Sequence, residues 1–260
     1  MSRWVARFAE NNLPLFGSGV LCYNEKKQEV DGVTEAFSPD ILYEDRQLVV
    51  CVKPVGWLSE PGGKSLPDAL SAYYAARGES KDIFTVHRLD RVVGGVMVFA
   101  RTKEAASHLA RAVAAREVDK EYLAVLRGVP EQPADTLTDL LFRDASQGKT
   151  FVVKRPRRGV REAKLAYRLL ETVTREDGQP LSLVEVRLYT GRTHQIRVQF
   201  SSRGLPLLGD IRYGSKDPDC TAALWSHRLS FRHPKTGKPM SFEKQPPSAY
   251  PWSLFPAAHP

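Results

Sequence analysis

Two short segments gather the side chains that could do chemistry. In His87-Arg88-Leu89-Asp90-Arg91 one carboxylate stands between two guanidiniums, just ahead of Gly94-Gly95. Neighbouring cations lower a carboxyl pKa, and an aspartate held ionised can attack an electrophilic carbon without a metal. The ordinary alternative is an ion-paired turn residue. The second segment is Gly191-Arg192-Thr193-His194-Gln195-Ile196-Arg197, where Thr193 reads as the N-cap of a helix over 194–202. Ile196 and Phe200, four apart, would face the core together with Arg197 at the helix edge. An ordinary surface helix is the alternative. A third candidate, Tyr122, lies in a run over 120–127 with period two: Tyr122, Ala124 and Leu126 share one strand face, and Leu123 and Val125 the other. Taken alone, Tyr122 reads as a core tyrosine.

These groups need a scaffold, and the chain supplies its signals. Apolar runs at 41–43 and 48–53 read as paired strands ended by Pro54 and Gly56, followed by a helix over about 66–77. Residues 95–100 read as a buried strand, and Thr102 then offers an N-cap with Glu104 in the first turn. Ala106, Leu109, Ala110 and Val113 have the spacing of one helical face. Further strands are expected at 151–154, 181–188 and, as a hairpin through Pro234-Lys235-Thr236-Gly237, at 229–231 and 240–242. Strands outnumber helices, which predicts an α+β fold. Residues 1–37 mix Gly, Asn and acids with weak periodicity and read as an extension packed on a domain that begins near Asp40.

The 260-residue chain carries 38 Lys and Arg against 30 Asp and Glu, a net charge of +8, and its pI near 9.4 suits a polyanionic partner. The charge is uneven. Over 154–168 seven cations, including Arg155, Arg157 and Arg158, face one acid, Glu162, and 187–203 contains four Arg and no acid. Guanidiniums fork onto phosphate and stack on bases, so nucleic acid is the favoured partner. A solvated face is the alternative for the first run. No apolar run exceeds five residues, far below the roughly 20 that span a bilayer, and a soluble, cytoplasmic protein is expected. Cys22, Cys51 and Cys220 fit neither a disulfide framework nor a zinc knuckle. His108 reads as solvent-exposed, and no histidine spacing suggests a metal. Neither a Walker loop nor Gly-x-Gly-x-x-Gly occurs, so no metal and no nucleotide cofactor is expected.

Five ordered blocks together resemble the RluA-type pseudouridine synthases. They are Ile41-Leu42-Tyr43-Glu44-Asp45 with Lys53-Pro54-Val55-Gly56, then His87 to Asp90, Lys120-Glu121-Tyr122-Leu123-Ala124, Gly191 to Arg197, and Leu229-Ser230-Phe231-Arg232-His233-Pro234 with Thr236-Gly237. The resemblance covers about 40–247. It implies a pseudouridine synthase catalytic domain over 38–250, with a mixed, mostly antiparallel central sheet flanked by helices and loops, and a C-terminal tail over 251–260. Residues 1–37 do not resemble the S4 RNA-binding module of many relatives. The implied activity is isomerisation of specific uridines in structured rRNA or tRNA by a monomer. The resemblance makes Asp90 the nucleophile, Tyr122 the aromatic residue against uracil and Arg197 the cation paired with Asp90. Arg88 would fill the space left by an extruded uridine, Ile196 would pack beneath the pocket, and Leu229 would join the substrate-binding set.

This chain departs from the family in two places. Asp90-Arg91-Val92-Val93-Gly94-Gly95 replaces Asp-Arg-x-Thr-Ser-Gly and loses two hydroxyls, and Trp57-Leu58-Ser59-Glu60 replaces apolar-apolar-His after the Lys-Pro-x-Gly block. The altered turn motivates a rival expectation, a catalytically idle RNA-binding or ribosome-assembly protein. A glycoside hydrolase would need a second, opposed carboxylate, for which the sequence offers no partner to Asp90.

Overall fold

The computed structural model describes residues 38–259, so the expected extension at 1–37, with Cys22, lies outside the described residues. The strands are β1 (Ile41–Glu44), β2 (Leu48–Lys53), β3 (Phe84–Thr85), β4 (Gly94–Ala100), β5 (Asp119–Arg127), β6 (Ala134–Asp144), β7 (Lys149–Val153), β8 (Val160–Thr174), β9 (Pro180–Leu188), β10 (Leu224–Arg232) and β11 (Pro239–Glu243). All join one sheet in the order β1-β2-β4-β10-β5-β9-β8-β6-β7, with β3 on β4 and β11 on β10. Every pairing is antiparallel except β4 with β10. The fold is α+β, with three α-helices among the described residues against this mixed sheet.

The helices form where local chemistry starts them. Ser65 caps α1 (Leu66–Ala76) by accepting from Asp68 N, and Gly78, at φ +72°, lets the chain leave it. Thr102 caps α2 (Lys103–Ala114), as its position predicts, by accepting from Ala105 N at 3.2 Å. The buried stripe of α2 is Ala105, Leu109 and Ala112, not the expected one through Ala110, which is exposed. The helix therefore presents a face rotated about Leu109.

The two sheet faces bury different things. Tyr122, Ala124, Leu126, Val184 and Val186 pack with Leu66, Leu70 and Tyr74 of α1 and with Ile196 and Phe200. Leu48, Val50, Val96 and Val98 meet α2 instead. Residues 251–259, set off above as a tail, pack Trp252, Phe255 and Ala258 onto Leu123, Val125 and Trp225. Two expectations need correction here. The basic run over 154–168, where no strand was expected beyond 154, is from Val160 onward β8, a 15-residue strand between β6 and β9. His108 is half-buried, and its Nδ1 is enclosed without a hydrogen-bond partner among the described residues.

Candidate active site

Asp90 sits in the turn entering β4, and that turn is clamped from both sides. Val93 N donates to Asp90 O at 3.0 Å. One residue earlier, the Ser59 hydroxyl donates to Leu89 O at 2.9 Å and accepts from Leu89 N at 3.0 Å. One residue later, Arg91 O accepts from Gly56 N at 2.8 Å and from Lys53 Nζ at 3.4 Å. Lys53 is fully buried and also donates to Pro54 O and Trp57 O. Burial pulls its pKa down to about 7 against the opposing Asp90 charge, whereas three carbonyl acceptors call for the three N–H bonds of an ammonium. His87 accepts from Val98 N at 3.1 Å through Nε2, so the ring is neutral; burial pushes its pKa down to about 3.

The two family departures have local explanations. A Cβ on Gly94 would stand 2.5 Å from Trp225 Cζ3, and one on Gly95 2.3 Å from Ser226 O. The parallel β4–β10 pairing aligns Gly94 with Trp225 and Gly95 with Ser226, so a serine at 94 is excluded while Trp225 stays where it is. The turn needs no hydroxyl of its own, because the clamp is supplied by backbone groups, Ser59 and Lys53. At the second departure Ser59 stands at the histidine position and holds Leu89, and the residue after it, Glu60, accepts from Arg88 Nη1 at 2.9 Å in a solvent-facing pair.

Arg88 and Arg91 therefore do not hold Asp90, contrary to their placement in sequence: Arg91 donates to Gly56 O. The cation on Asp90 is Arg197, from α3 (Gln195–Ser201), 107 residues further on. Its Nη1 donates to Asp90 Oδ2 at 2.8 Å, while Nε and Nη2 fork onto Asp210 at 2.7 and 2.8 Å. Burial works against this charge, but the bonds and charges of Asp210 and Asp90 outweigh it and hold the guanidinium pKa above its ordinary value. Arg197 is 5% exposed, so it lies inside the helix packing and not at its edge. Thr193 does not cap α3; His194 occupies the cap in the left-handed conformation, φ +55°, and makes no capping bond. Gln195 staples the loop instead, its Oε1 accepting from Thr190 Oγ1 and Arg192 N.

Asp90, Tyr122, Ile196 and Arg197 line one cavity of about 670 Å³, with Arg88, Arg116, Lys120, Lys164 and Arg192 also contributing to its wall. Cavities of this size take small molecules or single nucleotides. Tyr122 is buried, and burial followed by the Asp90 charge holds its phenol pKa above the ordinary value, so it stays protonated. Asp210 is 2% exposed and is committed to Arg197.

A family model for RNA pseudouridylate synthase matches residues 47–202. An uncharacterized RNA pseudouridine synthase of Aquifex aeolicus is 31% identical over 257 residues, 91% of this chain and 79% of that protein. The chain belongs to the RluA-type RNA pseudouridine synthases. It is thus an RNA-modifying isomerase. Another relative, the ribosomal large subunit pseudouridine synthase D of Nitrosomonas europaea, is 33% identical over 227 residues, 82% of this chain and 63% of that one. The fold matches human RNA pseudouridylate synthase domain containing 1 at TM-score 0.69 and 24% identity, covering 87% of this chain and 90% of that one.

Within this synthase the expected residues separate into three groups. Arg88, Asp90, Tyr122, Ile196 and Arg197 come together around the cavity. Leu229 does not: it is buried with Leu48, Val96 and Leu109 beneath α2, and Leu224 of the same strand lines the cavity instead. Arg155, Arg157 and Arg158 are exposed in the β7–β8 turn outside the cavity wall, with Arg157 stacked 4.4 Å from the Phe142 ring centre. Asp210, Lys120 and Lys164 were not singled out as site residues. The signal for Asp210 is faint, a lone acid after Leu205-Pro206-Leu207-Leu208-Gly209. Among the described residues no group of three or more His, Cys, Asp or Glu could hold a metal ion.

Proposed function

We propose that this synthase isomerises specific uridines of structured RNA, with Asp90 as nucleophile and the target nucleotide flipped into the cavity. The observation that carries the reading is the 2.8 Å pair between Arg197 and Asp90 in a wall shared with Tyr122. Isomerisation breaks the C1′–N1 bond, turns the base, forms C1′–C5, and moves a proton from C5, with N1 ending protonated. A carboxylate paired with a buried guanidinium can hold one fragment during that rotation. Tyr122 gives the base a stacking face and a hydroxyl within the same wall. A uridine within a helix or stack must be extruded to reach such a wall, and Arg88, solvent-facing beside Asp90, is placed to enter the gap. Ile196 forms the apolar floor.

The cationic rim of Arg116, Lys120, Lys164 and Arg192 fits the phosphates flanking a flipped nucleotide. Arg155, Arg157 and Arg158 extend that path away from the chemistry. The substrate class is rRNA or tRNA, and the name of the Nitrosomonas relative favours large-subunit rRNA. The reading takes the protein as a monomer, and such substrates put its work in the cytoplasm. No helix among the described residues is long and apolar enough to cross a membrane. The clamped turn at Asp90 supports the active reading over an idle RNA binder. Mapping pseudouridines in cellular RNA with and without this protein tests the proposal: loss of one or a few sites is expected, and an unchanged map contradicts it.

A further inference from the structure

We propose that His194 is a positioning residue for Asp90, locked by Tyr213 as the tautomer that carries its proton on Nε2. The inference rests on the reading of Asp90 as nucleophile. His194 Nδ1 lies 2.8 Å from the Tyr213 hydroxyl, and Nε2 lies 3.7 Å from Asp90 Oδ2. The imidazole stands edge-on to the Tyr213 ring, 5.5 Å between centres. Tyr213 Oη already accepts from Thr150 N at 2.8 Å, and the Thr150 hydroxyl, although close enough to Tyr213 to act on its phenol, reaches no partner within hydrogen-bond geometry among the described residues. Among the described residues Nδ1 is then the acceptor that the phenol proton has within hydrogen-bond geometry. A proton on Nδ1 would strand that O–H and turn the Nε2 lone pair toward a carboxylate oxygen. Both faults vanish when Nε2 carries the hydrogen.

The consequence falls on Asp90. Oδ2 receives Arg197 Nη1 and faces His194, while Oδ1 has no hydrogen-bond partner among the described residues. The carboxylate is held by one oxygen and presents the other, so Oδ1 is the attacking atom. The 3.7 Å gap closes when substrate fills the cavity, as catalytic hydrogen bonds tighten from the empty state. The backbone agrees with this use: a non-glycine residue in the left-handed region carries strain, and here that conformation turns His194 toward both partners. The charged groups facing the ring are Asp90 from the β4 turn, Arg197 from α3, and Asp210 and Arg212 beside Tyr213, with Lys149 of β7 5.2 Å from the centre of the Tyr213 ring. Burial, then Arg197 and Arg212, lower the imidazole pKa, and Asp90 opposes them. The ring is therefore neutral at pH 7.5.

Two substitutions separate this role from a structural one. The Gln amide nitrogen reaches the place of Nε2, whereas the Asn amide reaches only that of Nδ1, and Asn tolerates the left-handed backbone better. A merely structural His194 is thus replaced best by Asn, and a positioning His194 by Gln. On an unmodified large-subunit rRNA transcript under single-turnover conditions, His194→Gln should keep a third or more of the rate. His194→Asn should fall about 100-fold, as expected for a misplaced reacting group, with RNA affinity unchanged. The wild-type rate should decline as His194 protonates below pH 6.5, and His194→Gln should lose that limb. Independently of any RNA, ¹⁵N NMR should show Nε2–H in the wild type and a mixture of tautomers in Tyr213→Phe. An Nδ1–H wild type, or Asn performing as well as Gln, overturns the proposal. A transcript left unmodified by a wild type with the Nε2–H tautomer contradicts the proposed substrate and still supports the lock.

Discussion

Arg197 and the arginines of the β7–β8 turn are the same residue type in opposite physical situations. Arg197 is enclosed, bound to two carboxylates by three hydrogen bonds, and fixed in direction. Arg155, Arg157 and Arg158 face solvent, with an aromatic ring under one of them. A guanidinium in the first setting determines where a carboxylate points. One in the second supplies charge that any phosphate can use. The buried arginine should govern the chemical step and the exposed ones affinity and its salt dependence.

The largest effect should come from breaking the buried side. Arg197→Met leaves Asp210 enclosed without its partner, and removing one member of a buried pair costs about 3–5 kcal/mol. Thermal or urea unfolding should show that loss together with abolished turnover. Arg197→Lys keeps the charge but cannot fork onto Asp210 while reaching Asp90, so turnover should remain low with stability partly restored. A stable, active Arg197→Met would erase the distinction between the two regions.

A smaller effect concerns the core under the Asp90 turn. In the family the position of Gly94 is Ser, and here a Cβ would meet Trp225. Gly94→Ser should destabilise by about 1–3 kcal/mol, the usual range for overpacking, and Trp225→Leu in the same chain should recover part of it. Double-mutant unfolding curves check this. Additive losses would remove Trp225 as the cause.

The buried side should also respond to pH. An unfolded histidine takes a proton near 6.5, while His87 in the fold resists until about 3. The unfolded state then binds more protons in this window, so stability is complete above 6.5 and falls with pH below it, by up to about 1.4 kcal/mol per unit. His87→Gln, whose amide oxygen can still accept from Val98 N, should flatten that slope in unfolding curves between pH 6.5 and 4.

The exposed side should give the smallest change in rate. Replacing Arg155, Arg157 and Arg158 by Gln should leave saturated turnover nearly unchanged and reduce the salt slope of RNA binding by about 0.7 per lost phosphate contact, about two units for all three. An unchanged slope would move the RNA path to the rim at Arg116, Lys120, Lys164 and Arg192.

What the sequence made legible follows the same division between local and distant causes. Thr102 and the period of β5 act on their immediate neighbours, so the α2 cap and the direction of Tyr122 could be read from short patterns. The strand β8 went unread although Ala163, Leu165 and Tyr167 point inward in alternation with Glu162, Lys164 and Arg168, because the density of cations around them reads first as a solvated face. Arg88 and Arg91 are adjacent to Asp90 in sequence yet turn to Glu60 and Gly56, whereas the cation that reaches Asp90 comes from α3. Spacing along the chain suggested that Asp90 would have a cation, and the family pattern supplied Arg197. Nothing local identified Asp210, whose role exists only once the short 3-10 turn Ile211–Tyr213 after it folds against α3.

The central claim is that Asp90 is the nucleophile of a uridine isomerisation. Asp90→Asn preserves shape while removing the charge and most of the nucleophilicity, so single-turnover conversion of an rRNA transcript modified by the wild type is its most direct test. Pseudouridine formation should disappear while RNA binding stays within a few-fold of wild type; conversion at a rate near that of the wild type would contradict the account.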